Sequence, residues 1–285
     1  MNKTEKQVNP AGLYVVSTPI GNMEDITLRA INILKIVDLV ACEDTRVSGK
    51  LLSHYGIKKE LISYNDHNAG KQKDKIIHAI NEGKRVALIS DAGTPLISDP
   101  GYRLIQEAIE NNIYITAIPG ASSVITSLCV SGLPTDKFFF GGFLPNKENA
   151  LKKHLNNLTS IPATLIFFES ARRLVKTLNI MNEIFGDRKA AISRELTKLY
   201  EENKRGTLSE ILTDIESNGA PRGEIVILIS PPNSNKLIND SQEIENEIKN
   251  ILQTKSIKET VAIVVEKTGI SRKIIYEKTL KIKNS

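Results

Sequence analysis

Short apolar runs alternate with longer amphipathic stretches along the first half of the chain. Gly12–Thr18 (GLYVVST) is rich in β-branched and aromatic residues and stops at Pro19 and Gly21, the pattern of a strand meeting a turn. Residues 27–36 place Leu28, Ile31, Ile33, Leu34 and Ile36 at mostly helical spacing. The same reading gives strands at Asp38–Cys42, Leu61–Tyr64, Arg85–Ser90 and Tyr114–Ile118. Helices fall over 46–54, over 71–82 with Gly83 ending it, over 101–110, and after Pro119. Asp99-Pro100 supplies an N-cap acceptor and a fixed φ for the helix over 101–110. Five strands alternating with helices predict a mainly parallel sheet covered on both faces.

A second series begins near Lys137. Strands are expected at Phe138–Leu144, which holds a glycine pair, and at Ala163–Glu169, Lys189–Glu195 and Glu224–Ser230. Helices are expected over 147–157, 171–185 and 208–217. The run PPNSN (231–235) reads as a linker, and a short helical segment over about 240–285 closes the chain. The fold class is therefore α/β: two tandem α/β domains, 11–134 with the parallel sheet and 135–232, plus a small C-terminal helical segment, 240–285. A cleft between two such domains is a natural ligand site.

Length and composition agree. A chain of 285 residues with 40% hydrophobic and 25% charged residues can build two ordinary cores. Cys42 and Cys129 lie in apolar sequence (LVACE, SLCVS) and read as small buried hydrophobes in a reducing compartment. The start, MNKTEKQVNP, has no apolar core of a secretory signal, and no run of 18 apolar residues occurs, so a soluble cytoplasmic protein is expected. The net charge of +5 favours a polyanionic partner. From Lys255 to Ser285 there are eight Lys/Arg against three Glu, so the tail carries the whole excess. That tail fits nucleic-acid contact and, equally, a solvated lysine-rich helix pair.

In open parallel sheets, ligands bind beyond the carboxyl ends of the strands. Those positions read TPIGN (18–22), CEDTR (42–46), YNDHN (64–68), SDAGTPLISDPG (90–101) and IPGASS (118–123). Turns select such residues for their own reasons. The twelve residues of 90–101 exceed that need, with two each of Asp, Gly, Pro and Ser, and one Thr. Gly120-Ala121-Ser122-Ser123 opens a helix, and free N–H groups there favour a carboxylate or phosphate. A backbone-lined pocket with one acidic group suits S-adenosylmethionine, which carries a carboxylate, a ribose diol and an adenine. GxxxxGK[ST] and a GxGxxG after the first strand are absent, as are HExxH and clustered Cys/His, so no nucleotide loop of those kinds and no metal is expected. His54, His67, His78 and His154 are scattered and read as surface residues, with His67 of interest only for its loop.

GLYVVSTPIGN, ACEDTR, ISDAGTPLISDPG, IPGASS, FFFGGFLP, IFFES, SRELTK and GEIVILI, in this order over about 12–230, resemble the ribosomal RNA small-subunit methyltransferase I family of the tetrapyrrole-methylase superfamily (class III methyltransferases). Porphyrin- and corrin-directed relatives usually carry GDP where this chain has Asp91-Ala92-Gly93. The family commonly has proline where Ala171 stands, which bears on the shape of that loop. The resemblance implies 2′-O-methylation of a cytidine in the decoding centre of 16S rRNA, a homodimer, and a donor in a cleft closed by the second domain. Its candidate donor contacts here are Pro19, Asp91, Gly93, Ile97, Ser98, Gly120, Ser122, Ser123, Phe143 and Phe168. The resemblance extends to a helix-turn-helix-like tail, in which Gly269 suits a C′ position, Ser271 an N-cap, and Arg272 and Lys273 open the second helix facing phosphates. The alternative is a helix pair that packs only on its own dimer.

A ribose hydroxyl is a weak acid, so a base or proton sink should assist transfer. Glu43, Asp44 and Asp66 at strand ends, and Glu195 and Lys198 from the second domain, are the candidates, with none singled out. Lys198 could accept a proton only with a depressed pKa, and otherwise would stabilise alkoxide or bind phosphate. Arg46, Arg172 and Arg194 read as phosphate clamps or, equally, as structural ion-pair partners. A small-molecule methylase of the same fold and a non-catalytic RNA-binding or ribosome-assembly protein are the rival readings.

Overall fold

The computed structural model describes residues 9–283 except 66, 67, 220, 222, 233 and 269–271. Two compact units are present: one runs to Asn156 and resumes over Ala163–Ser230, and the other comprises Asn157–Pro162 and the chain from Pro231.

The first unit contains two five-stranded sheets. In the first, β1 (Gly12–Val16), β2 (Leu39–Cys42), β3 (Glu60–Ser63), β4 (Arg85–Ile89) and β5 (Ile115–Ile118) lie in the order β3-β2-β4-β1-β5, all parallel. The central β1 and β2 are buried at every position and the edge strands only in part, as expected of a sheet covered on both faces. Alternate residues serve opposite cores. Leu13, Ala41, Val86 and Leu88 meet Ile76, Ile80 and Leu104 of α3 (Ala69–Asn81) and α4 (Tyr102–Glu110). Tyr14, Val40, Ala87 and Ile89 meet Ile33, Leu34 and Leu52 of α1 (Leu28–Ile36) and α2 (Thr45–His54). The period-two pattern of the strands thus becomes two helix layers.

The fifth helix behaves differently. Val124 and Leu128 of α5 (Ser123–Ser131) pack with Ile166, Ala191, Val226 and Leu228 of the second sheet. That sheet comprises β6 (Phe138–Phe143), β7 (Thr164–Ser170), β8 (Lys189–Arg194), β9 (Glu202–Thr207) and β10 (Glu224–Ile229), in the order β6-β7-β10-β8-β9. Only β6 and β7 pair in parallel; the other neighbours are antiparallel. Its helices are α6 (Glu148–Asn156), α7 (Leu174–Phe185) and α8 (Leu208–Asn218). Strand β9, sequence ENKRGT, lies at an edge, where charged side chains discourage pairing with other chains. Its polarity hides it from a hydrophobic pattern. In β6 the register slips between Phe140 and Phe143 at the glycine pair, where Gly142 takes φ +65°.

Three expectations need correction. Cys129 is exposed rather than buried. Gly101, with φ +143° and no side-chain cap, precedes α4, so Asp99 does not cap it. The chain turns between Pro100 and the helix through a conformation that suits glycine. The linker over 231–235 is shorter than expected, since α9 (Ser234–Leu252) already begins at Ser234.

In the second unit α9, α10 (Ile257–Thr268) and α11 (Arg272–Lys283) enclose Ile248, Val261, Val264 and Ile275. Ser256 and Glu259 cap α10 reciprocally, each accepting from the other's backbone N–H at 3.3 and 3.0 Å. Gly269 and Ser271, expected at the turn, lie outside the described residues.

Candidate active site

Strand order explains which loops meet. Because β4, β1 and β5 are neighbours, the loops leaving their carboxyl ends, 90–101, 18–22 and 118–123, emerge side by side. Thr18 and Gly93 exchange backbone hydrogen bonds at 2.8 and 3.1 Å. The Thr94 hydroxyl lies 3.1 Å from that of Ser17 and donates to the Ala121 carbonyl at 3.1 Å, joining all three segments. A Cβ on Gly120 would stand 2.8 Å from that of Ser17, so this approach requires glycine. Leu96 and Ser98 hold left-handed backbone at φ +73° and +66°, an uncommon conformation for such side chains.

These segments form one wall of a cavity of about 680 Å3, to which Asp91, Gly93, Ile97, Ser98, Ser122 and Ser123 contribute. The second sheet forms the other wall with Phe143 and Phe168, whose ring centroids are 5.2 Å apart. Phe143 is 69% exposed. Pro19 and Gly120 are not in the lining; their neighbour Ile20 and the segment ending in Ser122 and Ser123 are. Sequence reasoning missed Asp99, Glu169, Arg173, Leu196 and Glu224, which also line it.

The carboxylates differ in environment. Asp91 accepts from the Asp44 N–H at 3.1 Å, and burial raises its pKa against that bond. Burial also raises Asp99, opposed by a hydrogen bond from Ser90. Asp44 caps α2 through the Arg46 N–H at 2.8 Å and is held at about 2, foremost by the Arg46 guanidinium, which approaches to 2.6 Å. Glu43 is half-buried just beyond β2, its carbonyl accepting from the Ser63 hydroxyl at 3.4 Å. Neither Glu43 nor Asp44 lines the cavity. Asp66 and His67 lie outside the described residues.

On the opposite rim, Glu195 and Thr197 are also left-handed, at φ +46° and +65°. Glu195 accepts from the Glu224 N–H at 3.1 Å and from Lys198 Nζ at 3.2 Å, while Lys198 reaches Glu224 at 3.0 Å. Burial pulls the Lys198 pKa down, but its bonds to Glu224 and Glu195 outweigh that and leave it raised. Lys198 therefore stays protonated. The Asn22 N–H donates to Thr197 Oγ1 at 3.0 Å, tying this turn to the loop after β1.

The arginines separate likewise. Arg46 is exposed and paired with Asp44, and Arg194 pairs with Glu202 at 3.0 Å. Arg172 is exposed, whereas its neighbour Arg173 lines the cavity. Arg272 and Lys273 are exposed on α11 of the other unit. Among the described residues no His/Cys/Asp/Glu cluster could hold a metal, and no helix is long and apolar enough to cross a membrane.

Comparisons with known proteins agree with this geometry. Residues 12–212 match the family of tetrapyrrole (corrin/porphyrin) methylases. Ribosomal RNA small subunit methyltransferase I of Rickettsia prowazekii is 50% identical over 93% of this chain and 95% of its own. That of Mesorhizobium japonicum is 44% identical over 98% and 95%. Among solved structures, the cobalamin biosynthetic enzyme cobalt precorrin-4 methyltransferase superposes with TM-score 0.57 at 19% identity, covering 76% of this chain and 94% of that one. Diphthine synthase gives 0.60 at 14% identity, over 76% and 89%. These distant structures share the fold, while the near relatives share the sequence throughout, so the chain belongs to the ribosomal RNA small subunit methyltransferase I family within the tetrapyrrole methylases.

Proposed function

We propose that this protein transfers a methyl group from S-adenosylmethionine to the 2′-oxygen of a cytidine ribose in the decoding centre of 16S rRNA. The observation that carries this reading is the cavity bounded by 90–101 and the head of α5 on one side and by Phe143 and Phe168 on the other. Its volume falls in the range of small-molecule sites, about 300–1,000 Å3. The donor's groups have counterparts in its lining. The Ser122 side chain makes no cap hydrogen bond, so first-turn N–H groups of α5 are available to a carboxylate. Asp91 offers an acceptor to a ribose diol, and Phe143, Phe168 and Ile97 offer apolar surface to an adenine. Gly93, Ser98 and Ser123 complete the contact set, with Pro19 and Gly120 shaping the loops behind it. In this reading the second sheet's half, 135–232, closes the cleft over 11–134.

The bound donor supplies an electrophilic methyl on a sulfonium; the chain's own task is to hold the ribose oxygen in line with it. Lys198, kept protonated, suits the charge developing on that oxygen rather than a base's role. Glu195 and Glu224 position it. Asp44 at about 2 is a poor proton acceptor, and the Glu224 N–H bond lowers Glu195, so neither carboxylate suits that step. Arg46, Arg172 and Arg194 face the RNA backbone in this reading, as do Arg272 and Lys273 from the C-terminal unit. The protein acts in the cytoplasm as a homodimer on the small ribosomal subunit.

Tritiated methyl transfer to undermodified small subunits, free 16S rRNA and porphyrin precursors tests the reading. Label on ribose of the RNA is expected, and label on porphyrin alone would overturn it. Asp91→Ala should weaken donor binding in calorimetry. A chain ending at Ser230 should keep donor affinity but bind RNA more weakly, with a shallower salt dependence.

A further inference from the structure

The turn between β8 and β9 is more firmly built than its connecting role requires. Its backbone closes on itself through Lys198 N–H to the Glu195 carbonyl at 3.0 Å and Glu201 N–H to the Lys198 carbonyl at 3.1 Å. The Glu201 carboxylate accepts from the Thr197 N–H at 2.7 Å. Asn22 and Glu224 anchor it from outside at 3.0 Å each. Leu196 turns inward and is buried in the cavity wall. Leu199 and Tyr200 turn outward, 88% and 68% exposed. A loose turn could fold two such side chains away; this one, held in left-handed backbone at Glu195 and Thr197, presents them.

We infer that the Leu199–Tyr200 tip is a stacking platform for an unpaired base of the RNA substrate, beside the nucleotide whose ribose enters the cavity. The inference rests on the RNA-methylating reading given above. Size separates this occupant from a second copy of the chain. The two side chains offer on the order of 300 Å2, against about 800 Å2 per partner in a standard protein interface. Their neighbours Lys198, Glu201 and Glu202 are charged. One aromatic face backed by an aliphatic side chain matches a nucleobase, and unpaired bases stacked on aromatic side chains are the usual currency of single-stranded RNA recognition. Position agrees as well. Tyr200 follows Lys198 by two residues, a span of at most about 7 Å, and Lys198 Nζ lies 3.0 Å from the Glu224 carboxylate of the cavity wall. A strand that delivers a ribose to the cavity passes this rim.

The chain contains no tryptophan. A full-length Tyr200→Trp variant therefore reports from this position alone. Saturation with single-stranded RNA covering the target should quench its emission, while duplex RNA of the same sequence should leave it unchanged. In methyl transfer, Tyr200→Ala should raise KM for RNA roughly 5- to 100-fold, with donor affinity in calorimetry unaltered and Tyr200→Phe within about twofold of the parent. Emission unchanged at saturating RNA, or an unchanged KM for Tyr200→Ala, overturns the platform. So does a fall in oligomeric state of Tyr200→Ala in sedimentation, which would make the tip a contact between copies. A parent protein that methylates no RNA refutes the functional reading instead, and the fluorescence titration still decides the platform.

Discussion

The guanidinium of Arg173 lies 3.2 Å from the carboxylate of Glu169, four residues earlier on the wall of the cavity. Glu169 is 2% exposed and also accepts from the Thr177 hydroxyl and the Ser170 N–H, each at 2.7 Å. Arg173 reaches on to the carbonyls of Leu144 and Pro145 and to the Asn146 side chain. The pair thereby fixes the segment that follows Phe143. Removing one member of a buried pair leaves the other uncompensated, at a cost of about 3–5 kcal/mol. Arg173 is 28% exposed, so the lower end applies. Glu169→Ala should lose about 3 kcal/mol in urea unfolding and Glu169→Gln less; equal stability of all three proteins would show that the network contributes nothing.

Asp99 gives a pH signature. Burial raises its folded pKa above the unfolded value, so the folded state binds its proton more tightly. The stability linked to that proton is fully present below the unfolded pKa and is lost as pH rises through the folded one. Asp99→Asn keeps an acceptor for Ser90 but cannot ionise. Its stability relative to the parent should therefore grow from acid to neutral pH. A constant difference in urea midpoint across that range would contradict the burial argument.

Arg46→Ala addresses the opposite case. Without the guanidinium, the Asp44 titration midpoint should climb from about 2 towards the ordinary value of ~3.9. It should stop short, because the Arg46 N–H still donates to the cap at 2.8 Å. Carboxyl NMR shifts follow it directly, and a midpoint that stays at about 2 would assign the shift elsewhere.

Gly21 lies where the two halves of the site touch. A Cβ there would stand 2.8 Å from Thr197 Oγ1 and 3.0 Å from the Leu196 carbonyl. Gly21→Ala must push the loop after β1 away from the β8–β9 turn, at about 1–3 kcal/mol. A crystal structure of the variant should show that displacement, and methyl transfer should fall with it. Undiminished transfer would mean that the contact is dispensable.

Much of this was legible in the sequence, for physical reasons. Buried parallel strands need near-continuous apolar runs, so the strands at Gly12–Val16, Leu39–Cys42 and Arg85–Ile89 announce themselves. The polar edge strand at Glu202–Thr207 does not, because it is held by backbone pairing with β8 and by polar contacts such as Lys204 with Asp214 and Arg205 with the Val130 carbonyl, not by apolar burial. Asp99-Pro100 has the local chemistry of a helix start, yet the φ of Gly101 decides otherwise, and composition does not reveal a dihedral angle. Arg172 and Arg173 are equivalent as letters; the turn before α7 leaves one exposed and puts the other in the cavity wall. The loop rich in glycine, proline and aspartate was visible, whereas the ion-pair partners that decide the protonation of Lys198 and Asp44 lie far away in sequence or compete locally.

Five residues other than glycine have left-handed backbone among those described, and four of them, Leu96, Ser98, Glu195 and Thr197, belong to the two loops that face each other across the hollow. The fifth, Asn112, is of a type that adopts it readily. Each of the four gives up on the order of 1–2 kcal/mol, together comparable with the entire margin of an average domain, about 5–15 kcal/mol. That sacrifice is made once, during folding. A guest that matches the hollow therefore meets walls already in their final shape, and its affinity is not diminished by the work of arranging them.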